Sequence, residues 1–359
     1  MGSPWIPGRG PAVAILFLLA TLGTAGAASA EPTVLDVSDQ PIIMIQHPRP
    51  VVIHTWDRPQ IAVDSDGDQP VVDRRTMNRL PGAAGNAYSV PISAENIPTP
   101  NLDQASVALG PEEFVVNPPS GPQDVVRIRL PQNATPQNPT QVMIPAGTAV
   151  LSVNGAGNTI VEDYHGQLIA QQRAGPMVLR NDGGSAFVQN LRGQIFVVNS
   201  TFDRLRTRTA VNNMIFSNCT VKQIEASSVH GSIVFNNGTF EPGLARFETQ
   251  SGNVAIGVNG NANLNVKGAP GQIFQRFDRP TQYVENNGEA SATLGGGGPL
   301  VNVLTQRGRV YLYDGSLTRK GTLPPHWSAV RAPIAQLEGE KAMKHVIESL
   351  PRPPRPPRR

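Results

Sequence analysis

The sequence predicts an all-β protein whose centre is a β-solenoid (a β-helix or β-roll) of 18–19-residue coils, each with two short strands. Charged residues make up only 16% of the chain and aromatic residues 5%, while Gly (35) and Pro (34) are abundant. That composition is typical of turn-rich β proteins rather than helical enzymes. The second observation is an internal repeat, and the third is the set of glycines that separates its segments.

The repeat consists of two interleaved series of five-residue segments. The first series comprises residues 159–163 (TIVED), 177–181 (MVLRN), 195–199 (IFVVN), 214–218 (MIFSN) and 233–237 (IVFNN). Its last positions are spaced 18, 18, 19 and 19 residues apart. The second series comprises residues 168–172, 186–190, 205–209, 224–228 and 245–249, with glycines at 166, 175, 184, 193, 231, 243 and 252 as corners. Two series in one register indicate a repeat of two strands and two turns.

Stacking of these coils would bury side chains that one coil leaves exposed. Side chains alternate along a strand, so the wholly apolar columns 177/195/214/233 and 179/197/216/235 should point inward. The last position of each first-series segment has the same parity and should face inward at the strand end. Stacked amides can hydrogen-bond from coil to coil, which predicts a structural ladder. This amide ladder consists of Asp163, Asn181, Asn199, Asn218 and Asn237.

One apolar column has the opposite parity and should face outward: Ile160, Val178, Phe196, Ile215 and Val234. Soluble monomers rarely expose such a stripe. We therefore expect either that a C-terminal amphipathic helix covers this apolar column or that the column is an association interface. The corresponding column of the second series becomes charged in the later coils and predicts a solvated face. It consists of Ile169, Phe187, Arg206, Glu225 and Arg246.

The remaining chain divides by composition and pattern. We predict a signal peptide (1–30), a small antiparallel β meander (31–81), a Pro/Gly-rich linker with one strand at 125–130 (82–145), the β-solenoid repeats (146–270), terminal β strands (271–332), an amphipathic helix opened by Pro333 (333–350) and a disordered Arg/Pro tail (351–359). Apolar residues Met343, Val346, Ile347 and Leu350 share one face of that helix.

The N-terminus is typical of a secretory signal. Arg9 precedes an apolar stretch that ends at Leu22, and Ala28-Ser29-Ala30 forms a small-x-small cleavage site. A stretch of roughly a dozen apolar residues is too short to span a bilayer. The expected location is therefore outside the cytoplasm: the periplasm, the cell surface or the medium. Cys219 is the only cysteine, so stability must come without an intramolecular disulfide.

The charge distribution gives no case for nucleic-acid binding by the folded body. The formal net charge is +3, but Arg9 and four arginines after residue 351 contribute five positive charges. Removing these five from +3 leaves −2 for residues 31–351, which is near neutral. No later segment is long or apolar enough to predict a membrane span.

Candidate catalytic and metal-binding residues are few. Asp163 and Asp182 lie one coil apart, and a glycosidase needs two carboxylates about 5–10 Å apart; the alternative is that both are polar corner residues. Residues 64–68 (DSDGD) resemble the start of a calcium loop, but Gln69 and Arg75 stand where that loop needs Gly and Glu. The six histidines show no metal-ligand spacing. We predict no catalytic residues, no metal and no cofactor.

Residues 160–256 resemble a bacterial family of exported β-strand-repeat domains of unknown function, related to adhesin-head (auto-transporter-adhesin-like) domains. Residues 240–249 (FEPGLARFET) and 251–256 (SGNVAI) carry the resemblance, and residues 52–58 (VIHTWDR) resemble an opening strand of such proteins. The resemblance implies a right-handed β-solenoid or β-roll at the cell envelope. It implies no catalytic residue, because the family has none that is accepted.

Together these observations predict an exported structural or adhesion-type protein. Its solenoid face would bind a glycan, an envelope protein or another copy of the chain. The alternative is a polysaccharide lyase or hydrolase on a pectate-lyase-like solenoid. A third possibility is an envelope accessory protein that binds its partner through the Arg/Pro tail.

Overall fold

A computed structural model describes residues 32–65, 69–77, 123–132 and 139–336, together with the backbone of 88–90 and 114–116. The predicted signal peptide, the Arg/Pro tail and residues 337–350 of the predicted helix lie outside this described part.

Two stacks of hydrogen-bonded strands form the fold. In spatial order, stack A contains β1 (Thr33–Asp36), β4 (Gln60–Asp64), β9 (Thr140–Pro145), β3 (Val51–Trp56), β11 (Thr159–Glu162), β13 (Met177–Arg180), β15 (Ile195–Val198), β17 (Met214–Ser217), β19 (Ile233–Phe240), β21 (Val254–Val258), β27 (Val310–Asp314) and β23 (Ile273–Arg276).

Stack B contains, again in spatial order, β5 (Val71–Met77), β8 (Gln123–Arg129), β2 (Ile42–His47), β10 (Val150–Gly155), β12 (Gln167–Ala174), β14 (Gly183–Arg192), β16 (Thr201–Val211), β18 (Thr220–His230), β20 (Ala245–Ser251), β26 (Leu300–Arg307), β22 (Ala262–Lys267), β25 (Glu289–Leu294) and β24 (Thr281–Asn286). The stacks join where β18 pairs with the end of β19. A separate antiparallel pair is formed by β6 (Tyr88–Val90) and β7 (Phe114–Val116). The described chain is therefore all-β, with one large mixed sheet of 25 strands.

The chain alternates between the stacks from β10 to β21, and each strand pairs in parallel with the next strand of its own stack. In stack A, Ile160 lies opposite Val178, which lies opposite Phe196. Phe196 lies opposite Ile215, and Ile215 opposite Val234. Strand pairing thus joins residues 18 or 19 positions apart, which is the period found in the sequence.

The core lies between the two stacks. The apolar columns that parity predicts to face inward are buried, including Met177, Leu179, Ile195 and Val197. Aromatic rings fill the later coils, where Phe235 and Phe240 stack with centroids 4.5 Å apart. Burial of apolar area at roughly 25 cal/mol per Å² makes this continuous core the main stabilising contribution.

Residues 31–81 do not form the predicted antiparallel meander. β2 pairs in parallel with β8 and β10, and β3 pairs in parallel with β9 and β11. The reason is that Ile43, Ile45 and Ile53 extend the inward columns of the later coils and are buried with them. The predicted linker likewise contains β9 as well as β8, and both strands belong to the stacks.

The C-terminal strands are inserted out of sequence order. β26 lies between β20 and β22 in stack B, and β27 lies between β21 and β23 in stack A. Parallel pairing ends at the two extremes of the stacks. Antiparallel pairing takes over at one end in β1, β4 and β5. At the other end it takes over in β25 and β24.

A cover segment, residues 315–336, crosses the outer side of stack A. It contains the short helix α1 (Ser316–Arg319) and the helical residues 328–336. Helical conformation thus begins five residues before Pro333, which the sequence predicted as its start. Trp327 fixes the earlier start, because its carbonyl accepts the N–H of Arg331 (3.0 Å) while its side chain is buried.

Candidate functional site

The amide ladder occupies the corner at which stack A strands end. All five of its residues have left-handed backbone conformation, with φ of 61° at Asp163, 54° at Asn181, 52° at Asn199, 56° at Asn218 and 55° at Asn237. Asn and Asp tolerate this conformation better than other side chains with a Cβ. The turn geometry therefore gives a second reason for Asn at this position, which sequence reasoning missed.

Side-chain hydrogen bonds connect the amide ladder in two parts, one from Asp163 to Asn181 and one from Asn199 to Asn237. Asn181 Nδ2 donates to Asp163 Oδ1 (3.2 Å), Asn218 Nδ2 donates to Asn199 Oδ1 (2.9 Å), and Asn237 Nδ2 donates to Asn218 Oδ1. Parity predicted that these side chains face inward, but they do not. Asp163, Asn181, Asn199 and Asn218 are exposed, because the left-handed residue ends the alternation of the strand.

The side chain after each of the first four ladder positions points into the protein instead. Tyr164, Asp182, Ser200 and Cys219 are all buried. Burial raises the pKa of the Cys219 thiol to about 12, so this thiol is protonated near neutral pH and unreactive.

Asp163 and Asp182 do not form an accessible carboxylate pair. Asp182 is 1% exposed; its Oδ1 accepts the N–H of Tyr164 (2.8 Å), and its own N–H donates to Ser200 Oγ (3.1 Å). Burial raises the pKa of Asp182 well above its ordinary value, and the neighbouring carboxylates of Asp163 and Glu162 add to the rise. A polysaccharide cannot reach Asp182, so this pair gives the enzyme alternative no support.

Asp182→Asn is expected to stabilise the protein increasingly as pH rises. The pKa of Asp182 is higher in the folded than in the unfolded state, so the contribution of Asp182 to stability is fully present below the unfolded pKa of about 3.9 and is lost as pH rises through the folded pKa. Asn keeps the acceptor for Tyr164 and carries no charge. In urea unfolding at pH 4 to 8, the stability difference between variant and wild type should grow by up to about 1.4 kcal/mol per pH unit.

The matched control is Asp203→Asn, because Asp203 is exposed on β16. Its difference from wild type should change far less with pH. If the difference in unfolding free energy between Asp182→Asn and wild type were the same at every pH, the raised pKa of Asp182 in the folded state would be contradicted.

The apolar column lies on the outer face of stack A beneath the cover segment. Phe196 and Ile215 are fully buried and Val234 is 1% exposed. Leu317, Leu323, Trp327 and Val330 of the cover segment belong to the same apolar cluster. The column is therefore not an exposed interface, and its cover includes residues well before the predicted helical face at 343–350.

The outer face of stack B is open in its later coils. Two columns of outward side chains run across β16, β18, β20, β26, β22 and β25, and each member is half-buried or exposed. One column contains Arg206, Glu225, Arg246, Asn302, Asn265 and Ser291, and the other contains Arg208, Ser227, Glu248, Leu304, Lys267 and Glu289. We call these two columns the polar face.

Cross-strand and same-strand contacts order the polar face. Arg206 Nε lies 2.6 Å from Glu225 Oε2, and Arg246 NH2 lies 2.7 Å from Glu248 Oε2. Asn265 Nδ2 donates to Asn302 Oδ1 (3.4 Å). In the earlier coils the same surface is closed, since Ile169 and Phe187 are each 2% exposed.

The sequence placed Arg206, Glu225 and Arg246 on this surface but missed Asn302, Asn265 and Ser291. These come from strands after the repeat, and the alternation of residues 262–267 (ANLNVK) and 300–304 (LVNVL) was their available signal.

A concave site lies away from the polar face. A cavity of about 150 Å³ between parts of the cover segment is lined by Thr318, Gly321, Leu323, Arg331 and Ile334. Among the described residues, no group of three or more His, Cys, Asp or Glu side chains could hold a metal ion. No helix of the described part has the length and apolar character needed to cross a membrane.

No protein-family model matches the chain, and no curated protein matches it. One solved structure is similar, described as a "putative cell adhesion protein" from Clostridium sporogenes ATCC 15579. The two share 8% identity, the match covers 79% of this chain and 96% of that chain, and the TM-score is 0.23. A likeness at that TM-score supports no conclusion about this chain.

Proposed function

We propose that this protein is an exported, non-enzymatic β-solenoid of the adhesion type, which binds a glycan through its polar face. The observation that carries the proposal is the contrast between the two outer faces. The chain's own cover segment buries the outer face of stack A, whereas the later coils of stack B present ordered, accessible polar side chains.

The geometry of the polar face suits an extended, hydroxyl-rich polymer. Parallel strands repeat every 4.7–4.9 Å, so each column offers donors and acceptors at about that spacing. Arg, Asn and Ser donate hydrogen bonds while Glu and the amide oxygens accept them, which complements sugar hydroxyls. Ion pairs such as that of Arg206 with Glu225 hold some of these side chains in place, which reduces the ordering entropy lost on binding.

Several features of the chain support the wider proposal. The alternation of strands between two parallel stacks fits a solenoid whose coil period is 18–19 residues. The N-terminal segment fits a cleaved secretory signal. The burial of Asp182 removes the carboxylate pair on which the hydrolase alternative depended.

The test is a glycan array probed with the purified protein, followed by titration of the best glycan against a face variant. Arg246, Asn302 and Asn265 are neighbours across β20, β26 and β22, so their replacement by alanine clears the centre of one column. We expect the dissociation constant to rise at least tenfold, which corresponds to about 1.4 kcal/mol.

A matched control replaces one arginine, one hydroxyl and one amide of the cover segment: Arg331→Ala, Ser328→Ala and Gln336→Ala. All three residues are exposed in the helical part and lie on the side of stack A. This control should bind as the wild type does. Unchanged binding by the face variant, or depolymerisation of the bound glycan, would overturn the proposal.

A further inference from the structure

Stack B ends in two edge strands with exposed apolar side chains. In the described part of the chain, β5 pairs only with β8 and β24 pairs only with β25. Val71 on β5 is 59% exposed and Val284 on β24 is 66% exposed. These are the two most exposed large hydrophobic side chains of the described residues. An open edge strand with an exposed apolar residue is a template for pairing with another chain.

The two end strands run in opposite directions relative to the stack. β5 is antiparallel to β8, whose direction is shared by the strands from β2 to β22. β25 is antiparallel to β22, and β24 is antiparallel to β25, so β24 runs with the stack. If two copies share one axis and one sense, β24 of the first meets β5 of the second as an antiparallel pair. That is the more stable kind of strand pairing.

One register of this pair matches apolar residues on both faces. When Val284 lies opposite Val71, Tyr283 lies opposite Val72. Val284 and Val71 both belong to outward-facing positions, opposite Ser291 and Arg129 in their own chains. Tyr283 and Val72 are both partly buried against the main core. The register would therefore join an outer apolar pair and continue the core across the junction.

Shape favours unlike ends over like ends. The charges of β5 do not add to this preference, because Arg74 pairs with Asp124 (2.8 Å) and Arg75 with Asp73 (3.3 Å) within the chain. Beyond the outermost parallel strands, stack A extends further than stack B at the β5 end, and stack B extends further at the β24 end. The step is one strand at the β5 end and two strands at the β24 end, so β24 and β5 meet before the ends of stack A do.

We propose that copies of this protein associate head to tail, with β24 of one copy paired antiparallel to β5 of the next, so that stack B continues through the junction. Such a heterologous contact does not close on itself and extends into a filament. The junction uses neither the polar face nor the cover segment. A filament would repeat the polar face along one line and raise avidity for a polymeric ligand.

Light scattering after gel filtration of the purified protein, without glycan, tests the junction. Wild-type protein should show masses of two, three and more chains that increase with concentration. Val71→Lys and Val284→Lys each block one end and should each remain a single chain at every concentration. Because both residues are exposed, each variant should keep the melting temperature that wild type has at concentrations where it is a single chain.

The decisive sample is an equal mixture of the two variants. Each variant retains the end that the other lacks, so the mixture should give dimers and nothing larger. Leu244→Lys changes an exposed residue away from both ends and should assemble as the wild type does. A single-chain wild-type mass up to millimolar concentration would overturn the proposal, as would dimers formed by either end variant alone. Failure of assembly with intact glycan binding would leave the proposed function standing.

Discussion

Gly231→Ala is expected to lower the free energy of unfolding by at least about 3 kcal/mol, a loss at the upper end for single substitutions. A Cβ at position 231 would lie 1.8 Å from the backbone oxygen of Asn212 and 2.6 Å from its carbonyl carbon. The obstacle is backbone of the preceding coil. The N–H of Asn212 donates to the carbonyl of His230 (3.2 Å), which holds the two coils together at this corner.

Relief of that clash requires the coils to separate locally. Separation breaks the pairing of Val211 with His230 and opens the core between β16 and β18. Urea unfolding monitored by circular dichroism measures the loss. If the alanine variant does not fold at all, the refolding yield at low temperature supplies the comparison with wild type.

Gly260→Ala is the matched control. The nearest atom to a Cβ there is Thr239 Cγ2 at 3.5 Å, an ordinary contact. This variant should differ from wild type by less than about 1 kcal/mol. Equal stability losses for the two substitutions would contradict the close approach at Gly231.

Gly231 also shows what the sequence could predict about the fold. Glycines between two repeating series marked the corners, and the alternation of apolar residues separated the inward from the outward columns. Both signals are local in the sequence. The conformation at Asn199 and its equivalents was not predicted, because an apolar strand followed by Asn is compatible with an inward amide as well as a left-handed corner.

The out-of-order strands could not be predicted for a different reason. β3 contacts β9 and β11, and β27 contacts β21 and β23, across long stretches of chain. Strand patterns show which side chains can be buried but not which distant strand supplies the neighbour. Residues 42–56 therefore suggested a hairpin meander, although their apolar columns suit the parallel stack equally well.

The candidate site was predictable only in part. Arg206, Glu225 and Arg246 belong to the repeat, so their common column follows from the period. Asn302 and Asn265 reach the same column only because β26 inserts between β20 and β22. The polar face is open because the cover segment packs on stack A instead. The residue that anchors the cover segment, Trp327, lies outside any repeat.

Trp327→Ala is expected to destabilise the protein by about 3–5 kcal/mol and to uncover the apolar column. Trp327 is 3% exposed, and its ring lies 5.1 Å from that of Tyr311 and 6.1 Å from that of Tyr313, centroid to centroid. It packs in one cluster with Phe196 and Ile215, which depend on the cover segment for burial on the outer side of stack A. Loss of the ring leaves a cavity and loosens the first turn of the helical residues 328–336.

Two measurements separate this role from a general loss of packing. Thermal unfolding reports stability, and binding of an apolar dye to the folded variant reports exposure of the column. Trp327→Phe should fall between wild type and Trp327→Ala in both, because Phe refills part of the space. The Phe variant also preserves the test if the Ala variant does not fold.

Trp56→Ala is the control, since Trp56 is half-buried at the end of β3, where Nε1 donates to the carbonyl of Gln60 (2.6 Å) and Arg58 lies over the ring. It should cost less stability and leave dye binding at the wild-type level. If Trp327→Ala and Trp56→Ala behaved alike, the cover segment would not be what keeps the apolar column from solvent. The contrast between a closed stack A and an open stack B, from which binding at the polar face is inferred, would then lose its basis.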